Sequence, residues 1–229
     1  QTETREGGGF TRLQVGNALK VKLTDRAPES VSVTADDNLV PLILTEVKEG
    51  ALIVSVKGGD HLAPVSELSI EVSARHLNWV AASGAASVES GGGLVCEVVA
   101  LDVSGAAQVT LDSIVGTELW VRGSGASSVT VRMVAAGEGH LDLSGASTVT
   151  LSEGALDTLD LKASGASSIT TRGVASKAAS VELSGASQAT FSASERVTGT
   201  ASGASAVTVA GSPAARDVAT SGGSSVTFE

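Results

Sequence analysis

Apolar and polar residues alternate along most of this chain in short segments, and each segment predicts a β-strand with one buried face. In the first third, such segments lie at residues 13–15, 19–23, 31–33, 42–44, 52–56 and 68–72. Turns rich in Gly, Pro, Asp and Asn separate the segments, as expected between short strands. The pattern predicts an all-β fold.

A Ser-Gly-Ala element returns at nearly constant spacing through the rest of the chain. It begins at Ser83, Ser104, Ser124, Ser144, Ser164, Ser184 and Ser202, and a Ser-Gly-Gly variant begins at Ser221. The steps between these serines are 21, 20, 20, 20, 20, 18 and 19 residues. So regular a period is typical of a solenoid, in which each coil buries its apolar side against the next.

The residues around each turn repeat in columns. Apolar residues lie three and one positions before the serine and five and seven positions after it, for example Leu141 and Leu143, then Val149 and Leu151. Each coil therefore has an inward-facing strand on both sides of a glycine corner. We predict a right-handed parallel β-helix with coils of about 20 residues. A β-propeller, whose blades need about 40 residues each, and a β-sandwich or β-prism fit the repeat less well.

The repeat also predicts the domain organisation. Residues 1–9 are polar and end in three glycines, which predicts a flexible lead-in. Residues 10–229 are predicted to form one β-helix domain. Within it, residues 10–76 lack the Ser-Gly-Ala element and are expected to form irregular first coils and an N-terminal cap, and residues 77–229 form the regular repeats.

Composition and charge limit the kinds of core and partner that the chain can have. The chain is 42% hydrophobic but contains only three Phe, two Trp and no Tyr, so small and β-branched residues must fill narrow coils. The net charge of -10 argues against nucleic acid or an anionic membrane as the partner. Cys96 is the only cysteine, which excludes an intramolecular disulfide, and no apolar run approaches the roughly 20 residues that span a bilayer.

One predicted outward column consists of threonines. Its members are Thr110, Thr130, Thr150, Thr170, Thr190, Thr208 and Thr227. A structural interpretation is that stacked threonines favour strands and keep the surface polar. The alternative is recognition of an ordered surface, because threonine columns on a β-helix resemble those of ice-binding proteins. The sequence leaves both interpretations open.

A second outward column alternates in charge. Two positions before successive turns stand Asp102, Arg122, Asp142, Lys162 and Glu182. Each charge would lie between opposite charges on the neighbouring coils, where exposed pairs contribute only tenths of a kcal/mol. Such a column would still disfavour a stack slipped by one coil, so we interpret it as register control.

The sequence predicts no catalytic residue, cofactor site or metal ligand. His61, His76 and His140 lack ligand-like spacing, and no nucleophile elbow, P-loop or Cys-x-x-Cys motif occurs. The pair Asp36-Asp37 is weak evidence for calcium on its own. Trp120 lies four positions before Ser124 on a predicted outward position, which makes it the best candidate for a ligand contact; burial under a neighbouring loop is the alternative.

Residues 10–15, 18–23, 31–33 and 52–54, followed by the run of Ser-Gly-Ala-Ser turns, resemble the putative auto-transporter adhesin, head GIN domain family of bacterial envelope proteins. The resemblance covers about residues 9–228. It implies a β-helix-like fold, export across the inner membrane, often a lipoprotein or secreted form, and a role in adhesion. The family supplies no catalytic residues.

The expected function is that of a non-enzymatic, adhesin-like scaffold in the bacterial cell envelope or medium, whether periplasmic, attached to the outer membrane or secreted. The start at Gln1, without an initiator Met, agrees with a removed secretory signal. The expected partner is a protein or glycan surface. Self-association through the C-terminal coil is expected as well, because the strand at Phe228 leaves an open edge. The alternatives are a carbohydrate-binding or carbohydrate-cleaving β-helix, and ice or mineral binding through the threonines.

Overall fold

The computed structural model describes residues 1–5, 7–24, 28–59 and 68–229. Strands dominate these ranges, and the helical segments within them are the 3₁₀ turns Val40–Leu42 and Lys57–Gly59. The strands before the first Ser-Gly-Ala coil are β1 (Thr2–Arg5), β2 (Arg12–Val15), β3 (Lys20–Thr24), β4 (Ser30–Thr34), β5 (Ile43–Lys48), β6 (Ala51–Val56) and β7 (Ser69–Ser73).

The strands of the repeats follow. They are β8 (Trp79–Ala82), β9 (Ser87–Val95), β10 (Val98–Val103), β11 (Gln108–Val115), β12 (Glu118–Gly123), β13 (Ser128–Leu143), β14 (Thr148–Ala163), β15 (Ser168–Thr171), β16 (Val174–Leu183), β17 (Gln188–Ser192), β18 (Arg196–Ala201), β19 (Ala206–Ala210), β20 (Ala215–Thr220) and β21 (Ser225–Phe228). The longest, β13 and β14, run through three successive faces of their coils.

These strands stack in parallel, coil upon coil, which confirms the predicted solenoid. The strands that precede each turn form one continuous stack, which we call the pre-turn sheet; the strands that follow each turn form the post-turn sheet. Residues one period apart lie directly opposite each other, as Val129, Val149 and Ile169 do. The side chains of these three residues are at most 1% exposed and fill the space between the sheets.

Glycine forms the corner of each coil. Gly145 has φ +76°, and a Cβ atom built on it would lie 2.5 Å from the carbonyl oxygen of Gly125 below. That approach exists because Ala146 N donates to the same oxygen at 2.7 Å. Ser147, which is buried, donates from Oγ to the carbonyl of Ser144 at 2.8 Å. The turn serine therefore satisfies a backbone group that the corner would otherwise bury unpaired.

The first coil begins earlier than the Ser-Gly-Ala pattern indicates. Strands β2 and β3 pair in parallel with β8 and β9, so residues 12–24 already form a coil in register with the repeats. Its corner is Gly16-Asn17-Ala18, in which Asn17 takes φ +63° and accepts a hydrogen bond from Ala85 N. Asn tolerates this conformation better than other non-glycine residues, so the corner forms without the expected motif.

A cap of mixed strands covers the N-terminal end of the stack. Strand β6 lies parallel beside β2 with β5 antiparallel outside it, and β7 lies parallel beside β3. Strand β4 pairs antiparallel with β7, and β1 pairs antiparallel with β4. The sequence predicts a flexible lead-in over residues 1–9, whereas the structure places Thr2–Arg5 in this sheet. The reason is long-range: Arg5 donates from Nη2 to the carbonyl of Val40 at 2.8 Å.

Candidate functional site

The outward side of the pre-turn sheet carries two columns of side chains, which we call the pre-turn face. The first column lies four residues before each turn and contains Trp79, Ala100, Trp120, His140, Asp160 and Ser180. The second lies two residues before each turn and contains Ala81, Asp102, Arg122, Asp142, Lys162 and Glu182. Strand alternation directs both columns away from the core.

Trp120, the predicted ligand contact, is on this face and stays partly exposed. Its ring stacks on the ring of His140 in the next coil, with centroids 4.0 Å apart and planes 17° from parallel. The indole N–H donates to Glu118 Oε2 at 3.0 Å. Two contacts therefore hold the ring, which lowers the entropy cost of using it as a binding surface.

Trp79 belongs to the same column, two coils toward the N-terminus. Its indole Nε1 donates to Asp102 Oδ2 at 2.5 Å, so this ring is held in place as well. Ala100 on β10 lies in register between Trp79 on β8 and Trp120 on β12. Neighbouring strands are about 5 Å apart, so one coil separates the two tryptophans. The small side chain separates two aromatic groups that are the largest exposed rings of the pre-turn face.

The charged column stacks in direct register, as the sequence predicts. Arg122 Nη1 lies 3.6 Å from Asp102 Oδ1, and the Arg122 guanidinium lies 5.9 Å from the centroid of the Trp120 ring. Lys162 Nζ lies 3.9 Å from Asp160 Oδ2 in the neighbouring column. Asp142, between Arg122 and Lys162, is exposed and makes no side-chain hydrogen bond or ion pair with any residue that the structure describes.

Three hollows lie along this face, and Asp142 borders all of them. The largest has a volume of about 500 Å³ and lies between the charged column and the row of turn serines; we call it the turn groove. Trp79 lines it near its N-terminal end, and small residues, including Ala81 and Gly123, line it as well. The other two hollows measure about 310 and 130 Å³. The face is therefore concave rather than flat.

Serine hydroxyls form the second rim of the turn groove. The first three are Ser83, Ser104 and Ser124, and within the described part of the chain their Oγ atoms have no hydrogen-bond partner. They repeat at the strand spacing of about 4.8 Å along the solenoid axis. Each can donate and accept a hydrogen bond, so the rim offers a ladder of uncommitted polar groups.

The threonine column forms on the post-turn sheet. Each threonine from Thr110 to Thr227 lies directly opposite the next one, and all seven are exposed or partly exposed. Toward the N-terminus the same column continues with Glu89 and Lys22 in place of threonine. The column is thus a regular hydroxyl surface, and its role in recognition stays a prediction.

Several charged side chains on the post-turn side pair with one another. Arg132 donates to Asp112 from Nε at 2.6 Å and to Glu153 from Nη1 at 2.6 Å. The hydrogen bonds from Arg132 hold the pKa of Asp112 below its usual value. Similarly, the hydrogen bond to Asp157 raises the pKa of Lys177. These carboxylates are occupied within the protein, in contrast to Asp142.

Among the described residues, no group of three His, Cys, Asp or Glu side chains is placed to hold a metal ion. Asp37 lies 3.6 Å from the N-terminal ammonium. His61 falls outside the described residues. Burial raises the pKa of the Cys96 thiol, which makes it a weaker nucleophile at neutral pH.

The sequence singles out Trp120 as the best candidate and does not group Trp79 and His140 with it in one column. The signal was present, because both lie four positions before a turn serine, as Trp120 does. What could not be derived is the stacking of Trp120 on His140, since it depends on side-chain rotamers in adjacent coils. The groove also depends on the combination of small lining residues from several coils.

A family model described as "Putative auto-transporter adhesin, head GIN domain" matches residues 9–213. A putative adhesin from Parabacteroides merdae has a TM-score of 0.91 at 18% identity, covering 100% of this chain and 95% of that chain. One from Parabacteroides distasonis has a TM-score of 0.90 at 19% identity, covering 100% and 96%. A putative lipid binding protein from P. distasonis has a TM-score of 0.92 at 15% identity, covering 100% and 96%.

At these identities the solved structures show a shared fold. A comparison with curated protein sequences found no match. In the ranges that the structure describes, no helix has the length and apolar character needed to cross a membrane.

Proposed function

The chain belongs to the putative auto-transporter adhesin, head GIN domain family, and from that premise we propose that it is a non-enzymatic, adhesin-like interaction scaffold. In this proposal the solenoid supplies a rigid support, and the pre-turn face supplies recognition. The protein acts outside the cytoplasm of a bacterium, in the periplasm, on the outer membrane or in the medium. An antibody against the native protein, applied to intact cells and to the fractions of lysed cells, tests the location. Signal confined to the cytoplasmic fraction would contradict the proposed location.

One observation carries the recognition role. The pre-turn face holds both tryptophans of the chain, each with a hydrogen-bonded indole N–H. Trp79 lines the turn groove together with Asp142, whose carboxylate pairs with no residue that the structure describes. Tryptophan and arginine are the residues that most often dominate binding energy at interfaces. The outward side of the post-turn sheet, which we call the post-turn face, carries the threonine column. Among the described residues it has no comparable aromatic group.

Retention on immobilised surfaces tests this role. The probes are mucin and fibronectin coated on separate sensor chips. We expect the chain to bind at least one of them, and the double variant Trp79→Ala/Trp120→Ala to lose at least about tenfold in affinity. The matched control is Thr110→Ala/Thr150→Ala on the post-turn face. Equal binding by both double variants, or no binding by the unmodified chain, would overturn the assignment of the pre-turn face.

The enzymatic alternative has its own test. A carbohydrate-cleaving β-helix would release new reducing ends from polysaccharides, which requires a positioned acid and base. We expect no release above background from a panel of soluble polysaccharides at pH 5 to 8. Release that disappears in Asp142→Asn would replace the scaffold proposal with a hydrolase or lyase.

The proposal includes self-association through the C-terminal coil. Strands β20 and β21 each pair with one stacked neighbour within the described residues, β18 and β19. Val226 and Phe228 are only partly buried, and the Arg216 guanidinium lies 4.6 Å from the Phe228 ring centroid. An open strand edge favours pairing with a second copy. Light scattering should show a dimer that Val226→Lys weakens; a monomer at every concentration would contradict it.

A further inference from the structure

The turn groove has three features that together specify a ligand class. Trp79 offers an aromatic ring at one end, and its orientation is fixed because the indole N–H is bound to Asp102. A ring that is already fixed loses little conformational entropy when it binds an apolar or CH-rich surface. The ligand must therefore present at least one such surface toward Trp79.

The rims of the groove require a ligand with many hydrogen-bonding groups. One rim carries the carboxylates of Asp102 and Asp142 with the Arg122 guanidinium between them, and the other carries serine hydroxyls. Both donors and acceptors recur at every coil, about 4.8 Å apart. A polymer of hydroxyl-rich units, each about one strand spacing long, can repeat its hydrogen bonds along the axis.

Charge argues against elongated ligands that carry many charges of one sign. The rim alternates in sign at each coil from Asp102 to Glu182, so no stretch of a single sign exists to attract a polyanion or a polycation. The chain as a whole carries a net charge of -10, which further disfavours anionic polymers. We therefore take the repeating polar groups of the ligand to be uncharged hydroxyl groups.

We infer that the turn groove binds an extended neutral glycan that lies parallel to the solenoid axis. A sugar ring stacks on Trp79, and successive sugars exchange hydrogen bonds with the charged rim and the serine rim. The groove crosses the coils from Gln14 to Ser144, which is five strands or about 19 Å. This inference rests on the proposed function, because it names the ligand of the same face.

Calorimetric titration of the full chain tests the inference. The neutral probes are cellohexaose, xylohexaose and mannohexaose, the anionic probe is hexagalacturonate, and the cationic probe is the glucosamine hexamer. We expect at least one neutral hexasaccharide to bind more tightly than both charged probes. Trp79→Ala should weaken that binding by about tenfold, because the stacking surface is lost.

A variant that narrows the groove separates groove binding from a general effect on the fold. Ala81 lines the groove and lies in the same outward column as Asp102, so Ala81→Leu places a larger side chain at the groove without entering the core. We expect at least a tenfold loss of neutral hexasaccharide binding, with an unchanged circular dichroism melting curve. The matched control is Ala219→Leu, which occupies the same column in the last coil, away from the groove.

The outcomes distinguish the two proposals. Absence of neutral hexasaccharide binding, tighter binding of a charged probe, or full binding by Ala81→Leu would overturn the glycan inference. If fibronectin binding then still depends on Trp79 and Trp120, the scaffold proposal stands with a protein ligand. If no surface depends on these tryptophans, both proposals fail.

Discussion

The pre-turn and post-turn faces of this solenoid share one backbone, one register and one core, but they differ in how their outward columns vary. On the post-turn face, Thr110 to Thr227 repeat the same side chain in seven coils. On the pre-turn face, Trp79, Ala100, Trp120 and His140 occupy equivalent positions with different chemistry. A uniform column presents the same surface at every coil. A varied column makes one part of the face chemically different from the rest, and the turn groove lies along that part.

The uniform column needs only a structural explanation, whereas the varied column is the one to which we assign recognition in our proposal. The threonines suit strands through their branching. In contrast, a tryptophan at an outward position adds little to the core and leaves apolar surface in water. Its position beside Asp142, which pairs with no residue that the structure describes, is the reason for our proposal that this face binds a ligand.

The largest expected effect on the free energy of unfolding comes from a substitution at the corner that joins the pre-turn and post-turn strands. Gly145→Ala should lower the free energy of unfolding by about 2–5 kcal/mol, because φ +76° is unfavourable for alanine and its Cβ would approach the Gly125 oxygen. Urea denaturation measures the loss. Gly50→Ala is the control, since Gly50 has φ +75° with nothing within 4 Å, and about 1–2 kcal/mol is expected. Equal losses would show that close stacking at the corner is unimportant.

The next effect contrasts the inward and outward sides of one strand. Thr171 is fully buried, and its Oγ1 has no hydrogen-bond partner among the described residues. Thr171→Val should raise the free energy of unfolding by about 1–2 kcal/mol, because the hydroxyl is desolvated without compensation. The adjacent Thr170→Val, on the outward column, should change it by less than about 0.5 kcal/mol. A stability loss in Thr171→Val would mean that the hydroxyl finds a partner in solution.

A smaller effect tests the charged column of the pre-turn face. Arg122→Asp would place three carboxylates in adjacent coils, and we expect a loss of about 0.5–1 kcal/mol in the free energy of unfolding. The loss should shrink at 1 M NaCl because these groups are exposed. Arg122→Gln should cost less than Arg122→Asp. Unchanged thermal stability in Arg122→Asp would refute register control by this column.

The paired charges of the post-turn side predict a pH effect. Because Arg132 lowers the pKa of Asp112 in the folded state, the pair stabilises the protein above the ordinary carboxyl range, and this contribution disappears as pH falls through the lowered pKa. Arg132→Gln should raise the pKa of Asp112 toward its usual value in a carboxyl NMR titration. Lys177→Gln, which alters a different pair, should leave Asp112 unchanged. The same Asp112 titration in both variants would contradict the role of Arg132.

The smallest expected effect concerns the threonine column. If recognition belongs to the pre-turn face, Thr150→Tyr leaves binding to mucin, fibronectin and hexasaccharides unchanged. The unmodified chain should also show no thermal hysteresis in osmometry. Hysteresis that disappears in Thr150→Tyr would assign surface recognition to the threonine column instead and reverse the comparison.

Much of the fold followed from local signals. The spacing of the Ser-Gly-Ala turns predicted the coils, and alternation around Val149 and Leu151 predicted which side chains face inward, because strand side chains alternate strictly. Irregular first coils were expected within residues 10–76, but the register of the coil at residues 12–24 with the repeats was not, because Gly16-Asn17-Ala18 lacks the motif and lies 67 residues before Ser83. Strand β1 was missed because its partner β4 and the contacts of Arg5 are distant in sequence.

The sequence by itself determined the periodic features of this protein: the glycine corner, the inward columns, the threonine column and the alternating charges. Each of these depends on a residue type at a fixed position in a repeat, which backbone geometry converts directly into a location. Only the tertiary structure decided the stacking of Trp120 on His140, the orientation of Trp79 toward Asp102, and the groove that Ala81 and Gly123 help to line. These depend on rotamers and on side-chain volumes from several coils at once, and a one-dimensional period carries no information about either.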